Sequence, residues 1–365
     1  MAVVRPFRAL RYNPAVAGPL DSLVAPPYDV IGPEQREELL GRSPYNVVHL
    51  TLPDSEEEAA ASLADWRQRG VLVCDEAPSC WWLAQDYVGP DGIARRREGL
   101  VASLRAEPYE TRVVLPHERT HTGPKEGRLR LLRATRTQLE PLFFLWDGTI
   151  EVDGLGEPDL ASGGDSLWRL GAEFCEALAD ELADAQLLIA DGHHRYETAL
   201  ALGEETWLLA VIVPTGQEGL TIFPTHRVAQ SAGSASGTPI DPPGGELPGP
   251  VLYRGGGYEL LDGGGLDSEV VERAEPAGVT YTPSREEAIA TVDRGEAEAA
   301  FLLRPTRIDD VWAVARRGDV MPQKSTFFYP KLTSGLLMLP LDSGVGSTEP
   351  PRSGGGGFAG AGAGE

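Results

Sequence analysis

The chain has 365 residues, 41% of them hydrophobic, which is enough for two domains with a real core. Its net charge of −23 argues against nonspecific binding to nucleic acid, because a surface of that sign repels the phosphate backbone. Cys74, Cys80 and Cys175 show neither metal-ligand spacing nor a disulfide framework, the first residues lack a signal peptide's apolar core, and no run approaches the length of a membrane span. A soluble, cytoplasmic protein is expected.

In chain order, Pro26-Pro27 forbids a helix and fixes an extended or turn path into Tyr28 and Asp29. Pro33 suits the first turn of a helix running to Gly41. Residues 46–52 read as a strand. Ser55 with Glu58 forms a capping box opening a helix that carries Leu63 and Trp66 and ends at Gly70. Apolar runs on either side of Pro90-Asp91-Gly92 predict a hairpin. A helix through Arg128, Leu131, Leu132 and Thr135 precedes a strand at 142–146. Leu167, Leu170, Phe174, Leu178 and Leu182 stand at helical spacing and predict a helix over 165–182.

An apolar strand from Leu187 then turns at Asp191-Gly192 into a helix through Tyr196, Ala199 and Leu200, and residues 207–213 read as a buried strand. Residues 231–265 are dense in Gly, Pro and Ser and read as a linker or loosely ordered insertion. Beyond them come a helix capped by Ser284, a strand at 299–303, a helix at 306–316, a polar and aromatic loop at 321–331 and a last strand at 336–339. Residues 344–365 read as a disordered tail. The irregular interspersion of strands and helices predicts α+β with mixed sheets. The expected organisation is a main region over 1–230, the insertion over 231–267, a C-terminal α/β part over 268–343 completing the fold, and the tail.

Six histidines occur, and five fall in three short motifs that each carry an arginine. Asp191-Gly192-His193-His194-Arg195 sits where a strand turns into a helix. There the backbone N–H groups and the helix dipole favour an anion. Gly192 permits close backbone approach, Arg195 offers a bidentate fork, and Asp191 is either the helix N-cap or a functional carboxylate. Pro116-His117-Glu118-Arg119-Thr120 offers an acid and a base, or a surface Glu118–Arg119 pair; the prolines around His117 and His121 argue against zinc. His226-Arg227 follows a strand, and is a structural turn or a third wall of the same site. Lys324-Ser325-Thr326 with Lys331 forms a plausible phosphate clamp without the glycines of a P-loop. Asp29 on the Pro-Pro turn could hold Mg²⁺ or accept a proton, or could be a surface turn.

Taken together, VAPPYDVI, SPYNVV, PHERT with GPKEGRLRLLRAT, IADGHHRYETAL, FPTHR and MPQKSTFFYPKLTSGL resemble an uncharacterised bacterial and archaeal family that carries the domain-of-unknown-function label DUF1015. The resemblance runs from about residue 5 to about residue 341. Its DGHHR segment is similar to the phosphate-binding box of the ParB/sulfiredoxin superfamily, most of all to that of free serine kinases. That resemblance implies a ParB/sulfiredoxin-like nucleotide-binding core. Gly192, His194, Arg195, Lys324, Ser325 and Thr326 would hold the nucleotide. Asp29, Glu118, Asp191 and His193 would be the catalytic groups, and His117, Arg119, His226, Arg227 and Lys331 would face the substrate. The kinases use a glutamate where this chain has Asp29, with Glu34 further on. Sulfiredoxin chemistry needs a cysteine beside the box, and none is present. The implied activity is a kinase using ATP or ADP with Mg²⁺ on a small hydroxylated metabolite such as free serine, which would place the protein in serine metabolism. The alternatives are a nucleotide-binding regulator without catalysis, or a ParB-like DNA-associated protein, which the charge opposes.

Overall fold

The computed structural model describes residues 1–118, 122–203 and 205–341, with the backbone alone at 122–125. Arg119, His121 and the tail expected over 344–365 lie outside the described residues.

The fold is α+β, built on two large sheets. The larger has nine strands among the described residues. At its centre, Leu142–Trp146 runs parallel to Trp207–Pro214 and antiparallel to Leu187–Asp191. Trp207–Pro214 continues through the antiparallel strands Ala94–Arg105, Trp81–Val88 and Asp165–Arg169. The predicted hairpin is the pairing of Trp81–Val88 with Ala94–Arg105, turning at Gly92 with φ +76°.

Strand alternation sets which side chains meet which layer. Phe143 and Leu145 enter one core, with Val311, Trp312 and Ala315 of the Ile308–Arg317 helix and with Phe328. Leu142, Phe144 and Trp146 enter the opposite core, with Leu178 and Leu182 of the Ala172–Leu182 helix and Tyr196 of the His193–Ala201 helix. Both faces are covered, so the central strands read as unbroken apolar runs. Each such side chain contributes about 1.5–3 kcal/mol through burial.

The second sheet has six strands, all antiparallel, in the order Gly237–Ile240, Gly257–Leu261, Val251–Arg254, Ala299–Leu302, His226–Ser231, Ala277–Thr282. Three of these strands come from the stretch that reads as a linker in sequence. The correction has a physical cause. Gly255-Gly256, at φ +50° and +90°, is the two-residue turn of a hairpin that sets Arg254 opposite Gly257, and Val251, Leu252 and Tyr253 are buried in it.

Two further expectations change. Residues 46–52 hold a short helix, Val48–Thr51, in place of a strand. Buried Asn46 enforces the turn: its Oδ1 accepts from Val48 N–H at 3.0 Å, and its Nδ2 donates to Ser22 O and Val24 O. The helix expected over 165–182 begins only at Ala172, after Gly171. Asp165–Arg169 is a strand with Leu167 opposite Leu83, where a buried apolar cross-strand pair outweighs the helical spacing. No helix among the described residues is long and apolar enough to cross a membrane.

Candidate functional site

Leu187–Asp191 ends at the sheet's rim, and Gly192 turns the chain at φ +97° into the His193–Ala201 helix. A side chain at Gly192 would be strained at that φ, and its Cβ would lie 3.2 Å from the Arg195 guanidinium. The first intrahelical bond runs from Tyr196 N–H to Gly192 O at 2.9 Å. The amides of residues 193–195 therefore lie at the open, electropositive end of the helix.

Asp191 does not cap this helix; the N-cap is Gly192, without a side-chain bond. The Asp191 carboxylate is held between two cations, with Lys331 Nζ 2.6 Å from Oδ1 and Arg195 Nη2 3.0 Å from Oδ2. Burial alone would raise its pKa. The charges of Lys331 and Arg195 outweigh that and hold it well below the usual carboxylate range. Arg195 Nη1 donates to Pro141 O, so both ends of the guanidinium are fixed.

A cavity of about 250 Å³ opens on this turn, lined by Asp29, Glu118, the residues from Asp191 to Arg195, and Lys324. Four chain segments far apart in sequence thus meet here. Asp29 arrives on the short helical turn Tyr28–Val30, and is exposed. That turn is pinned from behind by Glu140, 5% exposed, whose Oε1 accepts from Tyr28 N–H at 2.9 Å and from Ser334 Oγ at 3.1 Å. Arg128 covers the Tyr28 ring at 3.9 Å. Glu118 bridges to Met321, and its Oε1 accepts from Lys324 N–H at 3.2 Å. Burial raises the Glu118 pKa.

Behind the cavity wall, His117 is fully buried. Its Nδ1 is 2.7 Å from Ile189 O, which can only accept, so Nδ1 carries the proton. Nε2 therefore accepts from Thr326 Oγ1 at 2.9 Å. Burial pushes this imidazole down to about 4, and burial with the neighbouring His117 holds His193 well below its ordinary range. The two rings meet edge to face, 4.7 Å apart.

The three residues expected as one phosphate clamp separate. Lys324, at φ +54°, faces the cavity; Ser325 Oγ turns to Ser268 Oγ at 2.9 Å and Pro322 O; Thr326 serves His117. The third His/Arg motif is not in the cavity either. His226 is 3% exposed, with Nδ1 accepting from Leu303 N–H at 3.1 Å, a bond that ties neighbouring strands. Arg227 reaches Gln323 O at 3.3 Å and supports the loop from outside. Sequence reasoning missed Glu140, Arg128 and Gln323. Arg128 and Gln323 lie inside the segments GPKEGRLRLLRAT and MPQKSTFFYPKLTSGL, and Glu140 in neither, but no residue type or spacing marks any of the three as functional.

Among the described residues no three His, Cys, Asp or Glu side chains gather as a metal cage. Asp29 and Glu118 are the two carboxylates on the cavity that two cations do not already neutralise, and one or two carboxylates plus phosphate oxygens are what Mg²⁺ commonly takes.

A family model described as "Protein of unknown function (DUF1015)" matches residues 4–238. No curated protein matches the chain. Solved structures with low similarity include a mutant free serine kinase in complex with ADP, 14% identical at a TM-score of 0.44, covering 66% of this chain and 91% of that one. A conserved hypothetical protein from Pyrococcus furiosus is 16% identical at a TM-score of 0.40, covering 65% and 94%. SbnI with a C-terminal truncation, from Staphylococcus aureus, is 12% identical at a TM-score of 0.40, covering 63% and 84%.

Proposed function

The chain belongs to the DUF1015 family, whose function is unknown, and from its site we propose a nucleotide-dependent phosphotransferase acting on a small hydroxylated metabolite, free serine being the first candidate. The observation that carries this reading is the composition of one cavity. A helix N-terminus, a preorganised arginine and two carboxylates, Asp29 and Glu118, line it together.

Phosphoryl transfer is mostly positioning and electrostatics, so the protein's work is to hold oxygens and place one proton acceptor. The amides of residues 193–195 would receive phosphate oxygens, with the Gly192 backbone close enough for contact. The Arg195 guanidinium is held in place before ligand arrives, which limits the ordering cost of binding. Lys324 adds a cation at the rim. Mg²⁺ carried with the nucleotide would spread the charge of the transferring group, with Asp29 or Glu118 holding it.

Glu118 suits the base, since burial raises its pKa and makes it a better proton acceptor than an exposed carboxylate. Asp191 is a poor base, because both its oxygens are engaged by cations, and its role would be to fix Arg195 and Lys331. His193, held neutral, would act as a hydrogen-bonding group without carrying charge.

The test is incubation with ATP or ADP, Mg²⁺ and serine, following O-phosphoserine and the nucleotide product. Product formation that falls at least a hundredfold in Glu118→Gln supports the reading. Tight nucleotide binding without turnover of serine or any hydroxylated metabolite would make the protein a nucleotide-binding regulator instead. Absence of nucleotide binding ends both readings.

A further inference from the structure

A second and larger cavity, about 590 Å³, adjoins the first. Two elements stand between them. On the Tyr28–Val30 turn, Asp29 faces the smaller cavity and Val30, 43% exposed, faces the larger. Lys331 lines the larger cavity, and its ammonium reaches Asp191, on the wall of the smaller. A ligand in the groove would therefore lie beside the turn that carries Asp29 and against the lysine that pairs with Asp191.

The groove has a built polar floor. Gln85 is 3% exposed and Asp165 7% exposed, and both line it. Gln85 Nε2 donates to Asp165 Oδ1 at 2.8 Å, while Gln85 Oε1 accepts from the buried Arg97. Thr333 donates to the other Asp165 oxygen. Buried polar networks of this kind are costly unless they are satisfied, and this one keeps Arg97 Nη1 without a partner among the described residues.

The walls are of two kinds. Val24, Val30, Phe327 and Tyr329 supply apolar and aromatic surface. Asp21 and Asp86, both exposed, supply carboxylates, Asp21 accepting from Ser162 Oγ at 2.6 Å through Oδ1 and Asp86 meeting Arg96 at 2.9 Å through Oδ2, so that each keeps one oxygen toward solvent; Arg42 adds a guanidinium. Cavities of about 300–1,000 Å³ take ligands of drug size, and a free amino acid would fill little of this one. Aromatic faces and carboxylates together favour an ammonium group.

We infer that this groove is the acceptor site, and that it takes a hydroxylated amine larger than a free amino acid, with an apolar portion along Val30 and Tyr329 and its ammonium toward Asp21 and Asp86. The role as acceptor site rests on the phosphotransfer reading; the binding of such a ligand does not. Free serine would then be a minimal substrate that uses only the inner end.

Calorimetric titration of the full chain with leucylserine, N-acetyl-leucylserine and free serine tests the inference, with magnesium nucleotide titrated separately. Leucylserine is expected to bind at least tenfold more tightly than either other compound. Val30→Arg, at an exposed position, should weaken it tenfold or more and leave nucleotide affinity unchanged within twofold. Asp86→Asn should narrow the difference between leucylserine and its acetylated form. Equal binding of leucylserine and serine, or binding untouched by both variants, overturns the inference. If leucylserine binds as expected and no nucleotide does, the phosphotransfer reading fails and the groove assignment stands. If nucleotide binds and leucylserine does not, the reverse holds.

Discussion

Lys331 Nζ lies 2.6 Å from Asp191 Oδ1, across 140 residues of sequence, and this contact joins the two cavities into one constellation. It also leaves the Asp191 carboxylate facing a second cation, Arg195. Lys331→Met would remove one of the two from a mostly buried carboxylate. A loss of about 3 kcal/mol is expected in urea denaturation, because the remaining charge is left under-compensated. Asp191→Asn combined with Lys331→Met should recover much of that loss. Equal loss in the single and double variants would show that the pair is not coupled.

Gly192→Ala should cost about 1–2 kcal/mol, from a left-handed backbone that disfavours a Cβ. It should also shift Arg195, whose guanidinium lies 3.2 Å from the added carbon. The expected outcome is a lowered denaturation midpoint together with weaker nucleotide binding. A fall in stability with unchanged affinity would separate the turn from the proposed phosphate site.

Acid should destabilise the protein through His117 and His226. Both are buried, and both are pushed down to about 4 in the folded state. Unfolded histidine titrates near 6.5, so between about 6.5 and 4 the unfolded chain binds more protons. Stability is full above about 6.5 and is lost as pH falls through that window. The loss is about 1–2 kcal/mol for each histidine by pH 5. The raised carboxyl of Glu118 works in the opposite sense, favouring the folded state in acid. Denaturation midpoints from pH 7.5 to pH 5 read the net slope, and His226→Phe should flatten it. A midpoint that rises on acidification would contradict this account.

Among the described residues, Thr326→Val removes the one hydrogen that His117 Nε2 accepts. It should cost about 1–3 kcal/mol, the usual penalty for an unsatisfied buried acceptor, and Thr326→Ser should restore most of it. The rise of any transferase rate with pH should meanwhile follow Glu118, with a midpoint above the ordinary 4.5 and absent in Glu118→Gln.

The strand–turn–helix around Gly192 is legible in sequence because every signal is local: an apolar run, a glycine, then helical spacing. The meeting of Asp29, Glu118 and Lys324 with that turn is not, since Glu118 and Lys324 are 206 residues apart and nothing local encodes their contact. Composition alone grouped three His/Arg motifs. Two of them do meet, through the His117 and His193 rings, while His226 spends its Nδ1 on the amide of Leu303, just past the Ala299–Leu302 strand. Lys324-Ser325-Thr326 misleads because the chain diverges around left-handed Lys324, which faces the cavity while Ser325 turns to Ser268 and Thr326 to His117. Residues 231–265 mislead for the opposite reason: Gly255-Gly256 is a hairpin turn, and its glycines read as a linker.

The central claim is that the Gly192 turn and Arg195 hold nucleotide phosphate. Calorimetric titration of the wild-type chain and of Arg195→Lys with MgADP and MgATP tests it most directly. Lysine keeps the charge and loses the fork that spans Pro141 O and Asp191. Saturable binding to the wild type, weakened tenfold or more in Arg195→Lys, is the predicted result. Absence of binding by the folded wild type, or equal affinity in both proteins, would contradict it.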